Sequence, residues 1–124
     1  MLKQYFQERE FRRELGFLKR LAGLDWAPNV LGTTSGLHGI YGIFMMYEGV
    51  ELSLSVSFQD VSHFINRCKK ELHVRGIHHH DLARRNILQR PDGSLVIIDY
   101  ELAVDAAECV GGAQCPDEVK DFIA

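Results

Sequence analysis

The chain has no long apolar run, no basic excess and few cysteines, and each lack excludes something. No apolar stretch reaches the roughly 20 residues of a membrane-spanning helix, so no membrane association is expected. The opening stretch MLKQYFQEREFRREL mixes charges of both signs and has no apolar core of a signal peptide. With 14 Lys and Arg against 17 Asp and Glu the net charge is −3, so the basic surface of a nucleic-acid binder is missing. The three cysteines, Cys68, Cys109 and Cys115, are odd in number and unpatterned in spacing. That argues against a disulfide framework and for reduced thiols in a cytoplasmic protein.

What is present is an ordinary globular balance: 124 residues, 46% hydrophobic and 25% charged, enough for one domain with one modest core. Residues 3–22 read as a helix, with Phe11, Leu15, Leu18 and Ala22 as its apolar stripe and Gly23 as its stop. Pro28, Asn29, Gly32 and Gly36 break up a loop, a short strand at VLG and a turn. GIYGIFMMY, 39–47, reads as a buried strand, and EGVELSL as an extended connector. A second helix is expected over 59–74, burying Val61, Phe64, Ile65, Cys68 and Leu72 and ending at Gly76. A loop, HHHDLARRN, follows. Ile87 and Leu88 then open a hairpin that turns at PDGS and returns through LVIID, 95–99. The tail from Asp105 reads as irregular, with a last helical turn at 117–123.

Three polar residues frame that hairpin. Asp81 and Asn86 share the loop before it, and Asp99 ends its return strand. A hairpin of this length folds Asp99 back beside Asn86, with Asp81 in reach. Asn86 and Asp99 then offer two oxygens to a hard cation such as Mg²⁺, which takes few protein oxygens plus phosphates. Asp81 is left to accept or orient a hydroxyl proton.

The same residues carry a family resemblance. His79-His80-Asp81-Leu82-Ala83-Arg84-Arg85-Asn86 resembles the H-R-D-L-x-x-x-N catalytic loop of protein kinases, and Asp99-Tyr100-Glu101 resembles their D-F-G. Upstream, Glu14-x-x-x-Leu18-x-x-Leu21 is similar to the kinase C helix, Asn29-Val30-Leu31 to the turn into the fourth strand, and FMMYEGVEL to the fifth strand and the hinge that holds adenine. The resemblance spans roughly 8–104 of a single partial domain, 1–124, and the brevity of the C-terminal end resembles a fungal kinase-like family. It implies an α+β kinase-like fold: C helix, fourth and fifth strands, E helix and catalytic-loop hairpin. It also implies ATP and Mg²⁺ as cofactors and transfer of the γ-phosphoryl to a protein hydroxyl. Asp81 would be the base, Asn86 and Asp99 the metal ligands, and Glu14 the partner of a strand lysine. Met46 and Tyr47 would line the adenine site. The loop D-L-A-R-R-N is nearer the tyrosine-kinase form than the serine/threonine one.

The departures are as informative. There is no Gly-rich G-x-G-x-x-G loop and no V-A-I-K lysine. The chain reads as starting at the C helix, with strands one to three missing and no surrounding strand for Lys3, a poor substitute. His80 replaces the Arg of H-R-D, and Glu101 replaces the Gly of D-F-G, setting a carboxylate near the metal and phosphates. Late C-lobe helices have no room, although Cys115-Pro116-Asp117-Glu118 weakly resembles A-P-E. The chain reads either as a piece of a larger kinase-like protein, which the missing strands favour, or as a compact module. Its function divides between phosphotransfer by the parent protein, a pseudokinase remnant that binds partners, and a small-molecule phosphotransferase of aminoglycoside or choline type. Little catalysis is expected of these 124 residues alone. Marginal stability is expected too, because the bare stripe of the first helix and an unpaired sheet edge invite association.

Each residue also has a plain structural alternative. Asp81 and Asn86 suit turns, Asp99 a strand end, and Glu14 a solvated helix face, since neither Glu10 nor Leu18 can pair with it. Met45, Met46 and Cys68 suit a core, and Arg84 and Arg85 suit solvent or an anionic substrate group. A metal site on His78, His79 and His80 is disfavoured: adjacent side chains cannot all face one ion, and no well-spaced further ligands are visible.

Overall fold

Leu2–Tyr5 alternates in the opposite sense to a simple apolar count: Leu2 and Gln4 point out, while Lys3 and Tyr5 point in. In the computed structural model this segment is strand β1, paired antiparallel with β3 (Tyr41–Met45) in the register Lys3↔Ile43 and Tyr5↔Tyr41. The structure describes residues 1–35, 40–46, 49–53, 55–109 and 115–118. Strand β2 (Val30–Thr34) pairs with the other side of β3, so the first sheet runs β1-β3-β2 with β1 and β2 at its edges. The expectation that the chain starts at a helix over 3–22 is therefore corrected. Inter-strand hydrogen bonds to β3 hold 2–5 extended, and helix α1 covers only Glu8–Arg20.

The buried side of α1 is Phe11, Glu14, Phe17 and Leu18, followed by Leu21. Relative to the expected stripe it is rotated toward Glu14: Ala22 is exposed and Leu15 only partly buried. The stripe is not bare, because α1 packs on β1 and β3, with Phe11 meeting the rings of Tyr5 and Tyr41 at 5.9 and 5.3 Å. The sheet does expose apolar groups, among them Leu31 and the cross-strand pair Leu2 and Phe44.

Helix α2 (Phe58–Val74) starts at Ser57, whose hydroxyl accepts the Asp60 N–H at 3.1 Å, an N-cap of the ordinary kind. Its buried residues are Val61, Phe64, Ile65, Cys68 and Leu72, as the periodicity requires. Gly76, at φ 72°, ends it in a left-handed conformation that glycine takes at no steric cost. The segment after it is not all loop. Ile77–His78 forms a short strand, β5, and Arg84–Asn86 a 3-10 turn.

The hairpin is β6 (Ile87–Gln89) with β7 (Leu95–Ile97), in the register Ile87↔Ile97. Its turn is closed by Asp92 Oδ1, which accepts the Ser94 N–H at 2.9 Å, and by Gly93 at φ 91°. The connector before α2 contributes β4 (Val50–Glu51), which pairs with β6. A side chain at Gly49 would stand 2.3 Å from the Gln89 carbonyl oxygen, so only glycine lets the connector pass there. Strand β8 (Val104–Asp105) pairs with β5 and a 3-10 turn follows at Ala106–Glu108, so the described start of the tail is regular, against the expectation of an irregular tail from Asp105. Of the expected final helical turn over 117–123, only Asp117 and Glu118 are among the described residues, and they belong to a 3-10 turn, Pro116–Glu118. Among the described residues no α-helix follows α2, and no helix is long and apolar enough to cross a membrane.

Candidate functional site

The inward face of β1 and the buried face of α1 meet at one ion pair. Lys3 Nζ lies 2.9 Å from Glu14 Oε1, with the Glu14 side chain only 3% exposed. A buried carboxylate needs partners, and Glu14 has three: Lys3, the Tyr5 hydroxyl, and the Tyr100 backbone N–H at 2.7 Å. Glu14 is thus an inward residue rather than a solvated one. Burial opposes the charge on Lys3, but Glu14, Asp99 and Glu101 outweigh it, and the amine is held above the ordinary lysine range. Burial, and then the bond to Glu14, pushes the Tyr5 phenol far up.

Lys3, a poor substitute for a strand lysine on sequence, is on strand β1 opposite Ile43. Four residues are too few to show a period, and an outward Leu2 beside an inward lysine inverts the usual pattern. Its separation from Glu14 was the one available signal: a short strand, a turn and two helical turns span those eleven residues.

The same ammonium reaches the return end of the hairpin, 3.3 Å from Asp99 Oδ1 and 3.1 Å from Glu101 Oε1. Asp99 sits at φ 65°, a left-handed conformation uncommon outside glycine and most tolerated by Asp and Asn. Its Oδ1 also accepts the Glu101 N–H at 3.3 Å. Tyr100 turns the other way, into the core, fully buried and edge-on to His79 at 4.8 Å.

Asp81 and Asn86 are in direct contact. Asn86 Nδ2 donates to the Asp81 carbonyl and to its Oδ2, both at 2.8 Å, and Arg85 pairs with Oδ1. The Asn86 carbonyl accepts the Ile98 N–H at 2.8 Å, which places Asn86 across the ladder from the residue before Asp99. With Nδ2 committed to Asp81, the amide oxygen of Asn86 is the side-chain atom suited to a cation. Arg84 donates to the Ser53 carbonyl at 2.9 Å.

His79 is fully buried with both ring nitrogens engaged: Nδ1 accepts the Asp81 N–H at 3.1 Å, so Nε2 carries the proton toward the Ile98 carbonyl at 3.0 Å. Burial lowers its pKa despite the Ile98 carbonyl and the nearby aspartates. Asp117, also fully buried, accepts the N–H of His79 at 2.9 Å and that of His80 at 2.8 Å. Beyond the weak A-P-E likeness of Cys115–Glu118, no local pattern marks Asp117 as buried, because its partners are the backbone N–H groups of His79 and His80 and the His73 ring, 37 to 44 residues away.

A cleft of about 270 Å³ opens beside Lys3. Leu2, Leu18, Met45, Met46 and Leu88 form its apolar wall, and Lys3, Glu14 and Asp99 its polar end. Met46 therefore lines the cleft; Tyr47 lies outside the described residues. Asp99 could offer a hard oxygen to a divalent cation, 3.3 Å from the Lys3 ammonium, and Asn86, whose carbonyl bonds the residue before Asp99, could offer a second.

No family model matches the chain, and no curated protein sequence does. Among solved structures, the kinase PK-1 of Cydia pomonella granulovirus is similar, with a TM-score of 0.68 at 16% identity over 84% of this chain and 42% of that one. The chain spans less than half the length of that kinase. At such low identity the likeness bears on architecture alone, and the architecture of this chain is protein kinase-like.

Proposed function

We propose that this chain forms the phosphate-handling centre of an ATP-dependent phosphotransferase that acts on a hydroxyl, as in protein kinases. The observation that carries the reading is Lys3 Nζ standing between the buried Glu14 and Asp99 at the polar end of an apolar cleft. Glu14 orients the ammonium, and Lys3 receives the α- and β-phosphates of the nucleotide. Met46, at the apolar wall of the cleft, borders the base. Mg²⁺ held by Asp99 and Asn86 would neutralise charge developing on the transferred phosphoryl. Asp81, held in place by Asn86 and Arg85, accepts the hydroxyl proton. The hydroxyl belongs to a protein, or to a small molecule of the aminoglycoside or choline type.

A second reading, nucleotide binding without turnover, is favoured by Glu101. Its carboxylate occupies Lys3 at 3.1 Å and would face the phosphates with like charge. A thermal melt of the purified chain with ATP, with and without Mg²⁺, tests both, because a ligand bound only by the folded state raises the midpoint. A Mg²⁺-dependent rise with γ-phosphoryl transfer to a hydroxyl acceptor supports the first reading, and a rise without transfer the second. An unchanged midpoint counts against both.

A further inference from the structure

His79 turns inward, and the two histidines flanking it meet the cysteines of the tail. His78 Nδ1 lies 3.3 Å from Cys115 Sγ, and His80 Nε2 lies 3.3 Å from Cys109 Sγ. The His78 and His80 rings stand 83° apart with centroids at 6.1 Å, so their in-plane nitrogens can converge. One nitrogen from each ring and the two sulfurs all fall within 4.8 Å of one another. Three elements cause this. Strand β5 carries His78, the 3-10 turn Ala106–Glu108 after β8 delivers Cys109, and Asp117, bound to the backbone of His79 and His80, brings Cys115 alongside.

From this geometry we infer that His78, His80, Cys109 and Cys115 form a tetrahedral zinc site, separate from the proposed phosphate-handling centre. Two thiolates and two imidazoles are a donor set of structural zinc. With Zn–S near 2.3 Å and Zn–N near 2.0 Å, neighbouring N and S ligands stand about 3.5 Å apart, so the two 3.3 Å contacts need only a small expansion. Zn²⁺ replaces the two thiol protons, which pass to solvent, and leaves a neutral centre. That neutrality suits a site with one buried and three half-buried ligands.

An overlapping group, His73, His78 and Asp117, is a poorer site. The His73 and His78 rings are stacked at 4.0 Å and nearly parallel, so their lone pairs do not converge. Asp117 also already accepts from His73 and from two backbone N–H groups. In the proposed site His73 orients the His78 ring and Asp117 positions the loop. The zinc would tie the strand just before Asp81 to two tail segments.

The test is titration of the reduced full chain with Zn²⁺ against a chromophoric chelator, paired with Co²⁺ substitution read by absorption. Expected are one equivalent of metal, release of protons, and a tetrahedral Co²⁺ spectrum with a thiolate charge-transfer band. Cys109→Ser and His80→Asn should each weaken binding more than about 100-fold, beyond the loss typical of an outer-shell partner. His73→Gln should weaken it less. Cys109 and His80 are half-buried, so these variants serve even where Cys115→Ser fails to fold. Absence of a saturable equivalent at micromolar zinc, an octahedral spectrum, or affinity that follows His73 rather than Cys109 would overturn the assignment. So would a Cys109–Cys115 disulfide that persists under reductant.

Discussion

The backbone N–H of Tyr100 donates to Glu14 Oε2 at 2.7 Å, joining residues 86 apart. The carboxylate that takes this bond also takes Lys3 and the Tyr5 hydroxyl. One buried side chain on α1 therefore sets both the lysine of β1 and the start of the segment after the hairpin.

Removing Glu14 should cost more than removing Lys3. Glu14→Ala strands two buried donors and an ammonium, and a loss of about 3–5 kcal/mol is expected. Lys3→Met should cost about 2 kcal/mol, because the lysine is 23% exposed and partly screened by water, while Glu14 keeps two donors. Urea denaturation of both variants decides it; equal losses would show that Lys3 is as tightly committed as Glu14. The Lys3 contribution also depends on pH. Its folded pKa lies above the ordinary 10.5, so its stabilisation is complete below that pH and disappears as pH rises through the folded value. The gap between the parent chain and Lys3→Met should narrow at high pH.

Two carboxylates near Lys3 should have opposite effects on nucleotide. Asp99→Asn should abolish any Mg²⁺-dependent midpoint shift with ATP, since a neutral amide holds the cation poorly. Glu101→Gln removes a like charge from the phosphates and frees Lys3 from one partner. It should tighten Mg²⁺–ATP binding several-fold, the scale of one exposed ion pair. Calorimetric titration reads both, and unchanged affinity in Asp99→Asn would refute the metal assignment.

Asp117 should matter to stability far more than an aspartate in a tail normally does. Asp117→Ala leaves the N–H groups of His79 and His80 without their acceptor and His73 without its partner. Hydrogen bonds to a charged group contribute about 1.5–3 kcal/mol each, so a loss of at least about 3 kcal/mol is expected. Asp117→Asn should lose less because one oxygen still accepts. A denaturation midpoint unchanged in Asp117→Ala would show that the tail does not hold the loop.

His79 predicts weakening in mild acid. Burial depresses its folded pKa below the unfolded value near 6.5, so the unfolded chain takes up a proton that the folded chain refuses. The stability it contributes is present above pH 6.5 and is lost as pH falls toward the folded pKa. His79→Gln should be less stable at neutral pH and flatter between pH 6.5 and 5. Parallel profiles for the two proteins would remove His79 as the cause.

Several features were legible in the linear chain because they rest on local periodicity or turn chemistry. The five buried residues of α2, the PDGS turn and the order of Asp81, Asn86 and Asp99 around a hairpin all follow from spacing within one or two elements. Long-range pairing decided the rest. Whether Leu2–Tyr5 continues a helix or forms a strand depends on hydrogen bonds to β3, some forty residues on, and with it the role of Lys3. Whether Glu14 faces water or core depends on Tyr100. Cys109 and Cys115 look unpatterned until β8 and Asp117 carry them to His78 and His80. By itself the sequence determined which residues could serve as acids, amides and ligands, because that is their covalent chemistry. Only the tertiary structure decided which of them share a site, because contacts such as His80 to Cys109, 29 residues apart, and Lys3 to Asp99, 96 apart, close loops that no local period encodes.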